Sequence, residues 1–118
     1  MSKMEFVATE NAPAAIGPYS QAVKINGMVY TSGQIALRPD GSMVEDDVVL
    51  QTKQVFANLR AVLEEAGTSL DHVVKVMAFV ADINDFATVN EIYAEAFGEH
   101  KPARSLVAAK TLPKNAPV

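Results

Sequence analysis

The sequence predicts an α+β fold in which two helices cover one face of a β-sheet. Three observations carry this. Asn26-Gly27 separates two short apolar-rich runs and marks a hairpin. Two later segments place apolar residues at helical spacing, and each ends at a glycine. Each is followed by a short run rich in valine or alanine, which reads as a strand. The order is strand, hairpin, helix, strand, helix, strand.

Taken in order, residues 4–8 form a short extended segment before the turn-prone Asn11-Ala12-Pro13. Gly17-Pro18 forces a second turn, because proline holds the residue before it extended. Residues 22–25 and 28–31 flank Asn26-Gly27, both of which accept positive φ, and pair as a hairpin. Pro39-Asp40-Gly41 is a further turn. From about Asp47 to Ala66 the residues Val48, Val55, Leu59, Val62, Leu63 and Ala66 follow helical spacing, with Asp46 or Asp47 as cap and Gly67 as stop. Residues 73–81 read as a strand. A second helix, capped by Asn84 or Asp85, carries the stripe Phe86, Val89, Ile92, Tyr93, Ala96 and Phe97 and closes at Gly98. A last strand begins near Arg104.

Composition limits the functions open to the chain. At 118 residues it is one domain able to bury its own core. No run approaches the ~20 apolar residues of a membrane span, and Met1-Ser2-Lys3-Met4-Glu5 has no apolar signal core behind its lysine. The absence of cysteine removes disulfides, thiolate metal sites and cysteine nucleophiles, and suits a cytoplasmic location. A net charge of −4, with no run of three basic residues, argues against nucleic acid as a partner. No His, Asp and Glu set has metal-ligand spacing, so neither metal nor cofactor is expected. His72 and His100 read as surface residues, and Asp46-Asp47 as helix-start charge.

Residues 73–81 also bear on assembly. Both alternating sets are apolar: Val74, Val76, Ala78 and Val80 on one side, and Val73, Met77, Phe79 and Ala81 with Lys75 on the other. A sheet covered by helices on one side only should turn polar residues outward. Burial of that face by another copy of the chain, a homo-oligomer, is the reading preferred over a strand with a few exposed apolar residues.

Arg104, in Pro102-Ala103-Arg104-Ser105, stands where the last strand begins. Its planar guanidinium suits a two-bond grip on a carboxylate. In isolation an arginine near a strand more often makes a structural ion pair. Tyr19 can equally be a turn-packing aromatic, Ser32 a strand-edge serine and Asn90 a core amide.

The combination of Gly17-Pro18-Tyr19-Ser20-Gln21-Ala22, Thr31-Ser32-Gly33-Gln34, Asp85-Phe86 with Val89-Asn90, and Pro102-Ala103-Arg104-Ser105 resembles the RidA family. That family is also called YjgF or L-PSP endoribonuclease-like. The resemblance runs from Thr9 to Lys114. It implies a chorismate-mutase-like fold, a homotrimer with a central barrel and three clefts between subunits. It also implies hydrolytic deamination of enamines and imines of 2-oxo acids, with small 2-oxo and 2-imino acids as partners. Carried over, Arg104 binds the substrate carboxylate and Tyr19 lines the cleft. Ser32 and Gly33 offer a hydroxyl and a backbone donor, and Asn90 is a cleft amide. Where some members carry cysteine this chain has Leu106, so any contribution there comes from its backbone. Family members continue past Leu112-Pro113-Lys114 into a strand bearing a glutamate that positions or activates water. By alignment this single domain, residues 1–118, stops one residue short of that glutamate. An added strand is expected to pair with residues 106–110 or with the sheet edge. Two other readings are a small-carboxylate-binding regulatory module without turnover and, less favoured, an endoribonuclease.

Overall fold

A computed structural model of the chain describes residues 3–118. Met1 and Ser2, the start of the N-terminal stretch read above, lie outside the described residues. The expected order of elements is present. Strand β1 (Glu5–Val7) pairs antiparallel with β2 (Ala22–Ile25), which pairs antiparallel with β3 (Met28–Thr31). Asn26 at φ 52° and Gly27 at φ 75° make the two-residue turn that the Asn-Gly signal requires. Helix α1 runs Val48–Glu65, β4 Lys75–Val80, α2 Phe86–Phe97 and β5 Ala103–Ala108.

Both helices start at an aspartate. The Asp47 carboxylate accepts from the Val49 and Leu50 N–H groups, 2.8 and 3.1 Å, and Gly67 at φ 89° follows the last turn of α1. At α2 neither Asn84 nor Asp85 caps with its side chain. A 3-10 turn, Ile83–Asp85, leads into the helix, and the Asp82 carboxylate accepts from the Asn84 N–H at its start. The extra turn moves the cap upstream by more than a residue.

Two apolar clusters hold the layers together. Val62 of α1 and Ala66 just past its end pack against Val7, Ala12 and Ala22 beneath the three-stranded ladder. Phe56, Leu63, Leu70, Ile92 and Phe97 fill the space between the helices, and Val29 touches both clusters. The first half of α1 departs from its expected stripe. Gln51, Thr52, Phe56 and Asn58 are buried, whereas Val48, Val55 and Leu59 are half-buried. The buried amides answer a loop whose carbonyls need donors. Gln51 Nε2 donates to Val44 O and Glu45 O, both at 3.0 Å, and Asn58 Nδ2 donates to Leu37 O at 2.9 Å.

The single sheet expected from the sequence is divided into two ladders, β1-β2-β3 and a parallel β4-β5 pair. In each ladder, backbone alternation directs one set of groups to the partner strand and the other to an edge. Ala103 N–H donates to Val74 O and Ala109 N–H to Val80 O, so the even residues of β4 turn toward β5. Lys75, Met77 and Phe79 therefore turn their backbone groups to an edge without a partner strand among the described residues. On β3 the two-residue hairpin turns Val29 and Thr31 outward in the same way. One bond starts a pairing at the β4 edge, from Ala81 N–H to Pro117 O at 2.9 Å.

The faces sort as expected on β4 but not before it. Val73 packs against the helix cluster and Val74 is exposed, because the strand begins only at Lys75 after a 3-10 turn, Leu70–His72. Val76, Ala78 and Val80 turn toward the helices, with Val80 fully buried, while Met77 and Phe79 remain 55% and 44% exposed. The first ladder does the same. The row Phe6, Val23, Tyr30 lies on the face away from the helices, leaving Phe6 72% and Tyr30 58% exposed. The uncovered face is apolar on both ladders.

Candidate functional site

Helical geometry and strand register together build the arginine site. Phe86, Asn90 and Tyr93 follow one another at four and three residues along α2, so they share one face of the helix. On β5 the register places Arg104 opposite Val76, on the side facing the helices. The guanidinium meets that stripe. Arg104 Nη1 donates to Asn90 Oδ1 at 2.8 Å, and its central carbon lies 4.6 Å from the Tyr93 ring centroid and 5.6 Å from that of Phe86. No carboxylate lies within ion-pair distance of Arg104 among the described residues, where the one pair is Arg38–Glu45 on the surface. Arg104 is thus a half-buried cation held by an amide and two rings, with donors to spare. Burial pushes the Tyr93 phenol above its ordinary value, opposed by the Arg104 charge.

Beside it, β5 has an edge with no partner strand among the described residues. Odd residues of this strand bond to β4, so the backbone groups of Arg104, Leu106 and Ala108 turn outward. The Leu106 side chain is half-buried opposite Ala78, on the same side as Arg104, and its backbone is free of the ladder. A carboxylate near the Arg104 fork thus has main-chain groups beside it.

The N-terminal residues gather elsewhere. Tyr19, Gln21, Gly33, Gln34, Ile35 and Leu37 line a cleft of about 30 Å³, room for about two waters. Gln21 is its buried strut. Its Oε1 accepts from Thr9 N–H at 2.6 Å, and its Nε2 donates to Pro13 O at 2.8 Å. The Tyr19 hydroxyl accepts from Ile16 N–H at 3.4 Å, with the ring half exposed. Ser32 is engaged on both sides, its N–H donating to Gln21 O at 2.9 Å and its hydroxyl to Ser20 O at 2.6 Å. A Cβ on Gly33 would meet nothing within 4 Å, so the space beside it is open.

Among the candidates, then, Arg104, Asn90 and Leu106 are brought together, and Tyr19 and Gly33 share a cleft with Ser32 adjoining. No hydrogen bond joins the two groups among the described residues. Sequence reasoning missed three contributors. Tyr93 was legible as part of an apolar stripe, not as a platform for Arg104. Asn58 lies between Ala57 and Leu59, the signal a buried amide leaves, whereas Gln21 lies between Ser20 and Ala22 and shows less of it. His100 is corrected too: it is half-buried, with Nε2 2.7 Å from Val73 O. No group of three or more His, Cys, Asp or Glu residues among those described could hold a metal ion. Among the described residues, no helix is long and apolar enough to cross a membrane.

The two-layer α+β domain, with Arg104 free of a carboxylate partner among the described residues, falls in the structural class of the L-PSP proteins. Within it, the chain belongs to the endoribonuclease L-PSP family, the RidA or YjgF family of the resemblance, whose model matches residues 9–118. It is 50% identical over 112 residues to a 2-iminobutanoate/2-iminopropanoate deaminase of Salmonella typhimurium, covering 92% of this chain and 88% of that one. A Rid family protein of Yersinia pestis matches in structure with TM-score 0.95 and 49% identity, over 98% of this chain and 93% of the other. Escherichia coli TdcF with bound serine matches with TM-score 0.91 and 41% identity, over 96% and 92%.

Proposed function

We propose that the protein hydrolyses imines of small 2-oxo acids, such as 2-iminopropanoate and 2-iminobutanoate, to the 2-oxo acid and ammonia. The observation that carries this reading is Arg104, half-buried and held by Asn90 and Tyr93 without a carboxylate partner. A relative at 50% identity is named for this activity. The chemistry asks little of the protein, because the imine carbon is already electrophilic. Water adds there, the carbon–nitrogen bond breaks, and ammonia leaves. Arg104 pairs the carboxylate beside the Leu106 backbone, and Asn90 steadies Arg104. The Gly33 N–H and Ser32 hydroxyl orient the reacting end, and Tyr19 walls the cleft. Positioning of this kind can supply most of a rate on so reactive a substrate.

The test is ammonia and pyruvate release from freshly generated 2-iminopropanoate. Acceleration over buffer, with the two products in equal amounts, is expected. A rate equal to buffer, with pyruvate still bound, would leave the second reading: a regulatory module that holds a small carboxylate without turnover. Bound serine in TdcF favours a ligand of that size in either case. The ribonuclease of the family description finds less support in a chain of net charge −4.

The reading includes a homotrimer. Tyr19 and Gly33 share one cleft and Arg104 lies outside it, and the small cleft does not hold an imino acid. Copies packed through the apolar face of Phe6, Tyr30, Met77 and Phe79 would bury it, and we propose that they also bring the two groups together. Sedimentation in dilute solution should give about three times the 12.6 kDa chain mass. A stable monomer at micromolar concentration would sink both the assembly and the shared cleft.

A further inference from the structure

Tyr93 sits where phenylalanine would satisfy the core equally well. Its ring is fixed on two sides, 4.7 Å from the Phe97 ring and 5.8 Å edge-on to Phe56, centroid to centroid. Its hydroxyl is buried and has no hydrogen-bond partner among the described residues. An unpartnered buried hydroxyl contributes nothing to the fold and costs desolvation. The ring face is what is used: the Arg104 guanidinium lies over it at 4.6 Å, closer than over Phe86.

From this we infer that Tyr93 is a positioning residue for Arg104, acting through its ring face rather than its hydroxyl. The inference rests on the reading of Arg104 as a carboxylate clamp. Arginine carries several rotatable bonds, and the single bond to Asn90 Oδ1 leaves the guanidinium plane free to turn about that contact. A ring already locked by Phe56 and Phe97 removes this freedom. The open donors then keep a constant direction before any ligand arrives. Ordering is thus complete in the free protein, which is how pre-organisation raises affinity. The sequence spacing Phe86, Asn90, Tyr93 supplies the three contacts from one helix, so the clamp and the core of α2 are a single packed unit.

The experiment compares the parent, Tyr93→Phe, Tyr93→Leu and, should the leucine variant fold poorly, Tyr93→Met, which fills the space with a flexible side chain. Two quantities are measured well below each melting temperature: pyruvate affinity by calorimetry, and order of the Arg104 Nε–H vector by nitrogen relaxation in the free protein. Tyr93→Phe is expected to match the parent in both and to melt no lower. Loss of the ring should weaken pyruvate binding about tenfold and loosen the Arg104 side chain, as expected for a partly desolvated cation–π contact. Parent-like order and affinity in the leucine or methionine variant would overturn the inference. So would a phenylalanine variant as impaired as leucine, since the hydroxyl would then be responsible. Arg104→Ala run alongside separates the two ideas. If it binds pyruvate like the parent while Tyr93→Leu loosens Arg104, Tyr93 still positions the side chain and the clamp reading is what fails.

Discussion

Arg104→Ala is expected to abolish measurable binding of pyruvate and 2-oxobutanoate while leaving the fold intact. The guanidinium is the one cation facing α2 from β5, and no carboxylate in the described structure depends on it. Its removal therefore strands no buried charge. What the fold loses is one hydrogen bond to Asn90 and the contacts with two rings. What the ligand loses is its counter-charge, and truncating one partner of a hydrogen-bonded charge pair typically costs about 2–5 kcal/mol of binding. Arg104→Lys should also bind poorly, because an ammonium cannot reproduce the two-pronged fork or lie flat against Tyr93. Calorimetry with both acids checks this. Parent-like affinity in the alanine variant would make Arg104 a structural residue.

A strand bearing a glutamate, added directly after Val118, is expected to raise imine hydrolysis about 100-fold with carboxylate affinity nearly unchanged, a rise typical of general-base help. The two jobs separate physically. Arg104 holds the substrate in ground and transition state alike, whereas a carboxylate aimed at water acts only as the new bond forms. Of the two pairings expected for such a strand, the structure favours the sheet edge. Residues 106–110 are not the open partner for this path, because the tail comes to the opposite edge of β4, where Pro117 O accepts from Ala81 N–H. From there an added strand would run antiparallel along Phe79, Met77 and Lys75, whose outward backbone groups have no strand partner among the described residues. New ladder bonds at that edge should raise the melting temperature as well. The measurement compares the 118-residue chain, the extended chain and its Glu→Gln form for ammonia release from 2-iminopropanoate. Equal rates in all three would show that positioning alone carries the chemistry.

Local chemistry made much of the fold legible. Asn26-Gly27 specified its turn because both residues accept positive φ, and Asp47 and Gly67 bounded α1 because a short acceptor and a residue without a side chain suit those ends. The alternation in residues 73–81 announced an apolar outer face, and Met77 and Phe79 are exposed there. The motifs marked Arg104 as a candidate carboxylate clamp and Asn90, Tyr19, Ser32 and Gly33 as candidate site residues, and these remain proposals.

Other features depended on contacts between distant segments. The α1 amides Gln51 and Asn58 are buried because residues 35–45 fold back over them with unpaired carbonyls, and helical periodicity cannot register a loop. The division into two ladders, and which edge of β4 meets β5, are matters of hydrogen-bond partner that the side-chain pattern of either strand leaves open. The role of Tyr93 arises in the same way. By itself the sequence determined the turns, the helix boundaries, the two-faced strand and the arginine, because each depends on neighbours along the chain. Only the tertiary structure decided that Arg104 lies against Asn90 and Tyr93 and outside the Tyr19 cleft, because strand register and helix packing set that arrangement across the fold.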